Sequence, residues 1–154
     1  MPTGTSEKNF ESIIEETLTA ESGAQAAEAS VEHEAQSFAP GGYERRSSGD
    51  YDARRCLLPD DLIEFIAATQ PREWADLREQ FGEDAREEFL GRVSSRIEEE
   101  GTLSVLRDEV KLYGCRFKLV YFEPTTSRNP DLQEKYRANT FSAVRQFYYS
   151  EDTN

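Results

Sequence analysis

Apolar residues recur at helical spacing over residues 9–19, where Phe10, Ile13, Ile14 and Leu18 are interleaved with Glu11, Glu15 and Glu16. The spacing predicts an amphipathic helix whose apolar stripe packs on something. Residues 20–42 turn to Ala, Glu, Ser, Gln and Gly, with only Val31 and Phe38 as sizeable apolar groups. Such a stretch buries too little surface to offset its ordering entropy and reads as a linker. Residues 43–52, with Arg45, Arg46, two serines and Gly49, read as a continuation of that loop.

Periodicity resumes at Leu57-Leu58-Pro59-Asp60. Asp60 is placed as the N-cap of a helix through Ile63, Ile66 and Ala67, which must end before Pro71. Pro71 opens a second helix carrying Trp74, Leu77 and Phe81, with Gly82 positioned to stop it. Phe89, Val93 and Ile97 step by four along a third, residues 83–99, with Gly101 beyond its end. Thr102 is placed as the cap of a fourth, in which Leu103, Leu106 and Val110 face inward and Gly114 ends the run. Four consecutive short helices make a helical subdomain.

After Gly114 the period becomes two. Over residues 115–122, Cys115, Phe117, Leu119 and Tyr121 face one way and Arg116 and Lys118 the other, the pattern of a strand entering a core. A loop, a short helix opened by Asn129-Pro130-Asp131 with Leu132 and Tyr136, and a second strand over 141–149 complete the reading. The organisation expected is a helix over 1–19, an acidic linker over 20–52, and a helical subdomain with a partial sheet over 53–154.

Charge sharpens this picture. The 154 residues carry 18 Lys and Arg against 31 Asp and Glu, a net charge of -13. Phosphate backbones are held by cations, so a free-standing nucleic-acid binder is disfavoured unless its basic residues gather on one face. Hydrophobic residues are 36% and charged residues 32%, which suits one compact domain plus some disordered chain better than two domains. No apolar run reaches the roughly 20 residues of a membrane-spanning helix, and residues 1–7 lack the regions of a signal peptide, so no membrane association and a cytoplasmic location are expected. Cys56 and Cys115 lie far apart and are expected to be two buried, reduced thiols.

Candidate chemistry is sparse. His33, the single histidine, stands between Glu32 and Glu34 in the linker; it can neither build a metal site nor activate a nucleophile alone. The glycines form no phosphate-binding loop, which argues against ATP binding by this chain. Trp74 and the C-terminal aromatics Phe117, Tyr121, Phe122, Phe141, Phe147, Tyr148 and Tyr149 read as core. Arg116, Lys118, Arg137 and Arg145 place positive charge beside the expected strands, either as a local phosphate-facing patch or as ordinary salt-bridged surface.

Taken whole, the segment from Tyr51 onward resembles the N-terminal region of the R (restriction and motor) subunit of type I restriction enzymes. The resemblance is carried by Tyr51-Asp52-x-x-Arg55-Cys56-Leu57, Phe65-Ile66-x-x-Thr69-Gln70-Pro71, Glu73-Trp74 and Gly101-Thr102-Leu103-x-Val105-Leu106-Arg107. It continues through Phe117-x-Leu119-x-Tyr121-Phe122-x-Pro124, Asn129-Pro130 and Asn139-x-Phe141-x-x-Val144-Arg145-Gln146. Phe10-Glu11-x-x-Ile14 and Gly41-Gly42-Tyr43-Glu44 resemble the family's opening helix and its exit, separated here by the Ala/Glu stretch.

The resemblance implies an α+β fold: a helical subdomain plus the first strands of an incomplete PD-(D/E)xK, restriction-endonuclease-like sheet. Glu11 is the position that could match the family's helix glutamate. In that chemistry an acidic pair holds Mg²⁺ and a lysine orients the attacking water. The family also hydrolyses ATP, acts on DNA, and assembles with methylation and specificity subunits. Its hairpin bearing Asp and Glu-x-Lys would follow residues 141–150, where this sequence reaches Glu151-Asp152-Thr153-Asn154. The expectation is therefore an N-terminal fragment that needs no cofactor, is inactive alone, and self-associates through an unfinished sheet edge. The alternative is a non-catalytic interaction module whose helices over 60–112 dock on a partner protein.

Overall fold

A computed structural model describes residues 4–19, 42–125 and 128–145. The chain is mixed α+β and divides into two compact units.

The first unit holds helix α1 (Gly4–Thr19) and strands β1 (Tyr43–Arg46) and β4 (Phe141–Val144). The two strands run parallel, Tyr43 opposite Phe141 and Arg46 opposite Val144, with the Tyr43 and Phe141 rings 5.6 Å apart. Residues 43–46 are therefore a strand, where the sequence suggested a loop. Tyr-Glu-Arg-Arg has no alternating apolar pattern, and its pairing comes from the far end of the chain. β4 has a partner in β1, so only its other side can be the open edge expected. The remainder of the strand expected over 141–149, the linker residues 20–41, His33, and Phe147, Tyr148 and Tyr149 lie outside the described residues.

α1 also departs from expectation. Its apolar Phe10, Ile13 and Ile14 are exposed, while Glu15 is the side turned inward. Ion pairing rather than an apolar stripe seats this helix. Glu15 meets Arg45 at 3.1 Å and Arg145 at 2.9 Å, and Arg145 also donates to Ser12 Oγ at 3.1 Å.

The second unit runs from Asp50 to Asn139 among the described residues. It contains α2 (Pro59–Thr69), α3 (Pro71–Phe81), α4 (Ala85–Glu100), α5 (Thr102–Arg107), the antiparallel hairpin β2 (Glu109–Leu112) and β3 (Cys115–Lys118), and α6 (Pro130–Arg137). α2 and α3 agree with the sequence reading, except that Leu58 rather than Asp60 precedes the helix. Pro59 supplies its first residue, a position that suits proline because no N–H is needed there. Asp60 lies in the first turn and pairs with Arg86 at 2.5 Å. A short 3₁₀ turn, Gly82–Asp84, replaces the expected first turn of the third helix.

The fourth helix is only six residues long. It starts at Thr102, without a side-chain cap, and buries Val105, whereas Leu103 is 69% exposed. Val110 belongs to β2, and Gly114 turns a hairpin instead of ending a helix. The strand expected over 115–122 keeps regular pairing only to Lys118.

The core joins Ile66 of α2, Leu77 of α3, Phe89 and Val93 of α4, Val105 of α5, and Val110 and Phe117 of the hairpin. The Phe89 ring meets Phe117 edge-on at 4.9 Å and Trp74 at 6.0 Å. Cys115 is buried in this core, but Cys56 is exposed. No buried side-chain nitrogen or oxygen among the described residues lacks a hydrogen-bond partner.

Candidate functional site

The hairpin sorts its residues by face. Val110, Leu112, Cys115 and Phe117 point into the core, so the intervening Glu109, Lys111, Arg116 and Lys118 form the outer face. Tyr113 and Gly114 close it as a two-residue turn with φ of 47° and 88°. Both values are positive, the geometry whose twist matches a hairpin and which glycine adopts without a Cβ clash. Tyr113 is held in it by its ring, 4.5 Å from that of Phe81.

Side chains cover both edges of this two-stranded sheet. On the β2 edge, Arg96 of α4 donates to the Glu109 carbonyl at 2.6 Å and Arg92 Nε to the Lys111 carbonyl at 3.3 Å. On the β3 edge, Gln70 Oε1 accepts from the Lys118 N–H at 2.8 Å while its Nε2 donates to the Lys118 carbonyl at 2.9 Å. Three residues on, Asn139 repeats the arrangement, accepting from Tyr121 N–H at 3.0 Å and donating to its carbonyl at 2.6 Å. A carboxamide offers one donor and one acceptor side by side, so it satisfies an extended residue as a neighbouring strand would. Gln70 and Asn139 are both buried, which makes these bonds costly to leave unmade.

Over the β2 side lies an open depression of about 660 Å³ lined by Arg92, Arg96, Arg107, Lys111 and Lys118, with Glu100, Asp108 and Glu109. Arg96 is committed: it pairs with Glu100, and that hydrogen bond holds the Glu100 carboxyl below its usual range. Arg116 reaches Glu109 only at 3.8 Å. No ion pair involves Arg107, Lys111 or Lys118 among the described residues. Lys111 stands directly opposite Arg116 across the strands, an unfavourable like-charge pairing. A chain of net charge -13 thus gathers weakly compensated cations on one face. Such a face attracts an anion, and phosphate is the natural counterpart for clustered Lys and Arg.

The residues expected to carry function fall in different places. Arg116 and Lys118 share the outer face of β3. Arg137 closes the last turn of α6 in the same unit. Arg145 belongs to the first unit and is taken up by Glu15 and, at 3.8 Å, by Glu11. Glu11 therefore faces an arginine. Glu109-Val110-Lys111 also spells Glu-x-Lys on a strand, yet among the described residues no three His, Cys, Asp or Glu side chains converge as a metal site. That donor set does not fit the Mg²⁺ of the nuclease resemblance.

Arg92, Arg96, Arg107 and Lys111 were missed from the sequence. The first two look like the solvated side of a helix, and the helical pattern expected over residues 102–112 conceals Lys111. The alternation Glu109-Val110-Lys111-Leu112, followed by Tyr113-Gly114 and a second alternating run, is the hairpin signal that could have revealed it.

Elsewhere in the unit, burial pushes the Tyr121 hydroxyl up, helped by the charges of Glu73 and Glu109 against a hydrogen bond involving Thr69. Burial likewise pushes the Cys115 thiol up, with Asp76 and Glu73 adding to it, so this sulfur is held as an inert thiol. No described helix is long and apolar enough to cross a membrane. Compared with models of known protein families, with curated proteins and with solved structures, the chain matches none.

Proposed function

We propose that this chain is the opening region of a protein of the type I restriction R-subunit kind, and that its part in DNA restriction is to hold the DNA backbone. The observation that carries this reading is the basic face in which Lys111, Arg116 and Lys118 stand on the outer side of the β2–β3 hairpin and Arg107, at the end of α5, lines the same depression as Lys111 and Lys118. Two residue stretches of the resemblance gain a physical role in the same place. Thr69-Gln70-Pro71 delivers the carboxamide that fixes Lys118, and Asn139 fixes Tyr121.

The parallel β1–β4 pair beside α1 is compatible with the first pieces of a restriction-endonuclease-like sheet, with Glu11 on the helix side facing it. No catalytic step is assigned here, because Glu11 is paired with Arg145 and the described carboxylates do not converge. DNA and the methylation and specificity subunits are the partners this reading implies. A second reading, a non-catalytic module that docks on such a subunit, is favoured by the exposed Phe10, Ile13 and Ile14 on α1 rather than by the helices over 60–112.

The deciding experiment titrates a fluorescent duplex of about 25 base pairs with the full chain at several salt concentrations. Non-specific binding with a dissociation constant of roughly 10⁻⁴ to 10⁻⁶ M is expected, weakening steeply as salt rises. Replacing both Lys111→Ala and Arg116→Ala should reduce the log–log salt slope by about 1.8, since each phosphate contact contributes about 0.9. An unchanged slope in that variant overturns the reading.

A further inference from the structure

The depression does not end at its cations. Arg107, Asp108 and Lys118 also form one wall of an adjoining groove of about 220 Å³, whose other wall is apolar and includes Val120, Phe122 and Leu132. Phe122 is 64% exposed and Leu132 42%. The local backbone explains why. Past Lys118 the chain bends at Leu119 and loses its strand partner, held instead by Gln70 at Lys118 and by Asn139 at Tyr121. With those two points fixed, Tyr121 enters the core and Phe122 is turned out beside the groove. Its ring stacks on no other ring among the described residues.

A duplex cannot use that combination. It presents sugar and phosphate to a surface while its bases stay stacked inside. An unpaired strand presents both, phosphates for cations and a free base for an aromatic face, which is how sequence-tolerant single-strand sites are built. At about 220 Å³ the groove falls below the roughly 300 to 1,000 Å³ of sites for drug-sized ligands, and suits one flat ring system. The carboxylates do not cancel the field: Glu100 is engaged by Arg96 and Glu109 lies near Arg116, which leaves Asp108 against Arg107, Lys111 and Lys118.

We infer that the groove and the depression together bind single-stranded nucleic acid, one base stacking on Phe122 while Arg107, Lys111 and Lys118 hold the flanking phosphates. The inference rests on the reading of the basic face as a nucleic-acid surface and narrows its ligand from duplex to unpaired strand.

The test uses the full chain, a fluorescent oligo-dT strand of about twelve residues, and the oligo-dA·oligo-dT duplex of the same length, read by anisotropy at low salt. The single strand should bind at least about fivefold more tightly than the duplex. Phe122→Ala should weaken single-strand binding about tenfold and leave duplex binding unchanged, whereas Phe122→Tyr, which keeps the ring, should bind like the wild type. Circular dichroism should show the same fold in all three, since this side chain is outside the core.

If Phe122→Ala changes nothing, or the duplex binds more tightly, the base seat is wrong; loss of duplex binding in Lys111→Ala/Arg116→Ala would then still uphold the basic face. If neither nucleic acid binds, both fall. Binding of an acidic, leucine-containing peptide that is lost in Phe122→Ala, with no oligonucleotide binding, would overturn the inference in favour of a protein-docking groove.

Discussion

Two groups of cations sit beside strands in this molecule, and they differ in what answers them. In the first unit Arg45 and Arg145 meet Glu15 at 3.1 and 2.9 Å, and the charges serve to seat α1 against β1 and β4. On the second unit's hairpin, Lys111 faces Arg116 and neither Arg107 nor Lys118 has a carboxylate in ion-pair range among the described residues. Both groups are made of basic side chains beside strands. The first arrangement is self-satisfied, and the second is left open to an outside anion. A cation near a strand therefore says little about function until its partner is known.

The largest effect that would sharpen this contrast touches no charge at all. Asn139→Ala strips both buried hydrogen bonds from Tyr121 and should cost about 2 to 3 kcal/mol in denaturant unfolding, since a buried N–H and C=O are left unmade. Binding at the basic face should weaken with it, because the chain beyond Lys118 loses its anchor. A loss below about 0.5 kcal/mol would show that water or backbone movement replaces the carboxamide.

A smaller effect probes a fully answered cation of the second unit. Arg55 is held by Asp52 at 3.0 Å and by Glu87 at 2.6 Å, and Asp52 also accepts from the backbone N–H groups of Arg54 and Arg55. Burial raises the Asp52 carboxyl, but the hydrogen bonds from Arg55 and Arg54 and the Arg55 charge outweigh it, leaving it below its ordinary 3.8. A lowered carboxyl stabilises the fold above its unfolded-state value, and that contribution is lost as pH falls through the folded-state value. Asp52→Asn should therefore cost about 1 kcal/mol at neutral pH, with the gap to wild type closing below about pH 4 in thermal melts. A gap independent of pH would mean that the charge contributes nothing.

The smallest effects set the two groups directly against each other. Lys111→Thr relieves a cross-strand repulsion and should raise stability by a few tenths of a kcal/mol while weakening DNA binding. Arg145→Gln breaks a partly buried pair and should lower stability by about 1 kcal/mol, with DNA binding unchanged. If Arg145→Gln reduces the salt slope as much as Lys111→Thr does, the distinction between answered and unanswered cations fails.

Local signals were enough for three of the helices. Pro59, Pro71 and Gly82 restrict or free the backbone by their own covalent structure, and Trp74, Leu77 and Phe81 on α3, like Phe89, Val93 and Ile97 on α4, recur at a period that a helix turns to one side, so α2, α3 and most of α4 could be read from the sequence. The mixed α+β class was legible for the same reason, as was the positive charge of Arg116 and Lys118 on the outer side of a strand. What depended on residues distant in sequence was not legible. Tyr43–Arg46 becomes a strand only because Phe141–Val144 pairs with it, and Glu15 turns inward only because Arg45 and Arg145 are there to meet it. Arg92 and Arg107 join Lys111 and Lys118 only when α4, α5 and the hairpin pack together. Periodicity is a property of neighbouring residues and survives in the sequence. A field is the sum of charges from separate elements, and only the tertiary structure determines which of them share a face and which have already been neutralised.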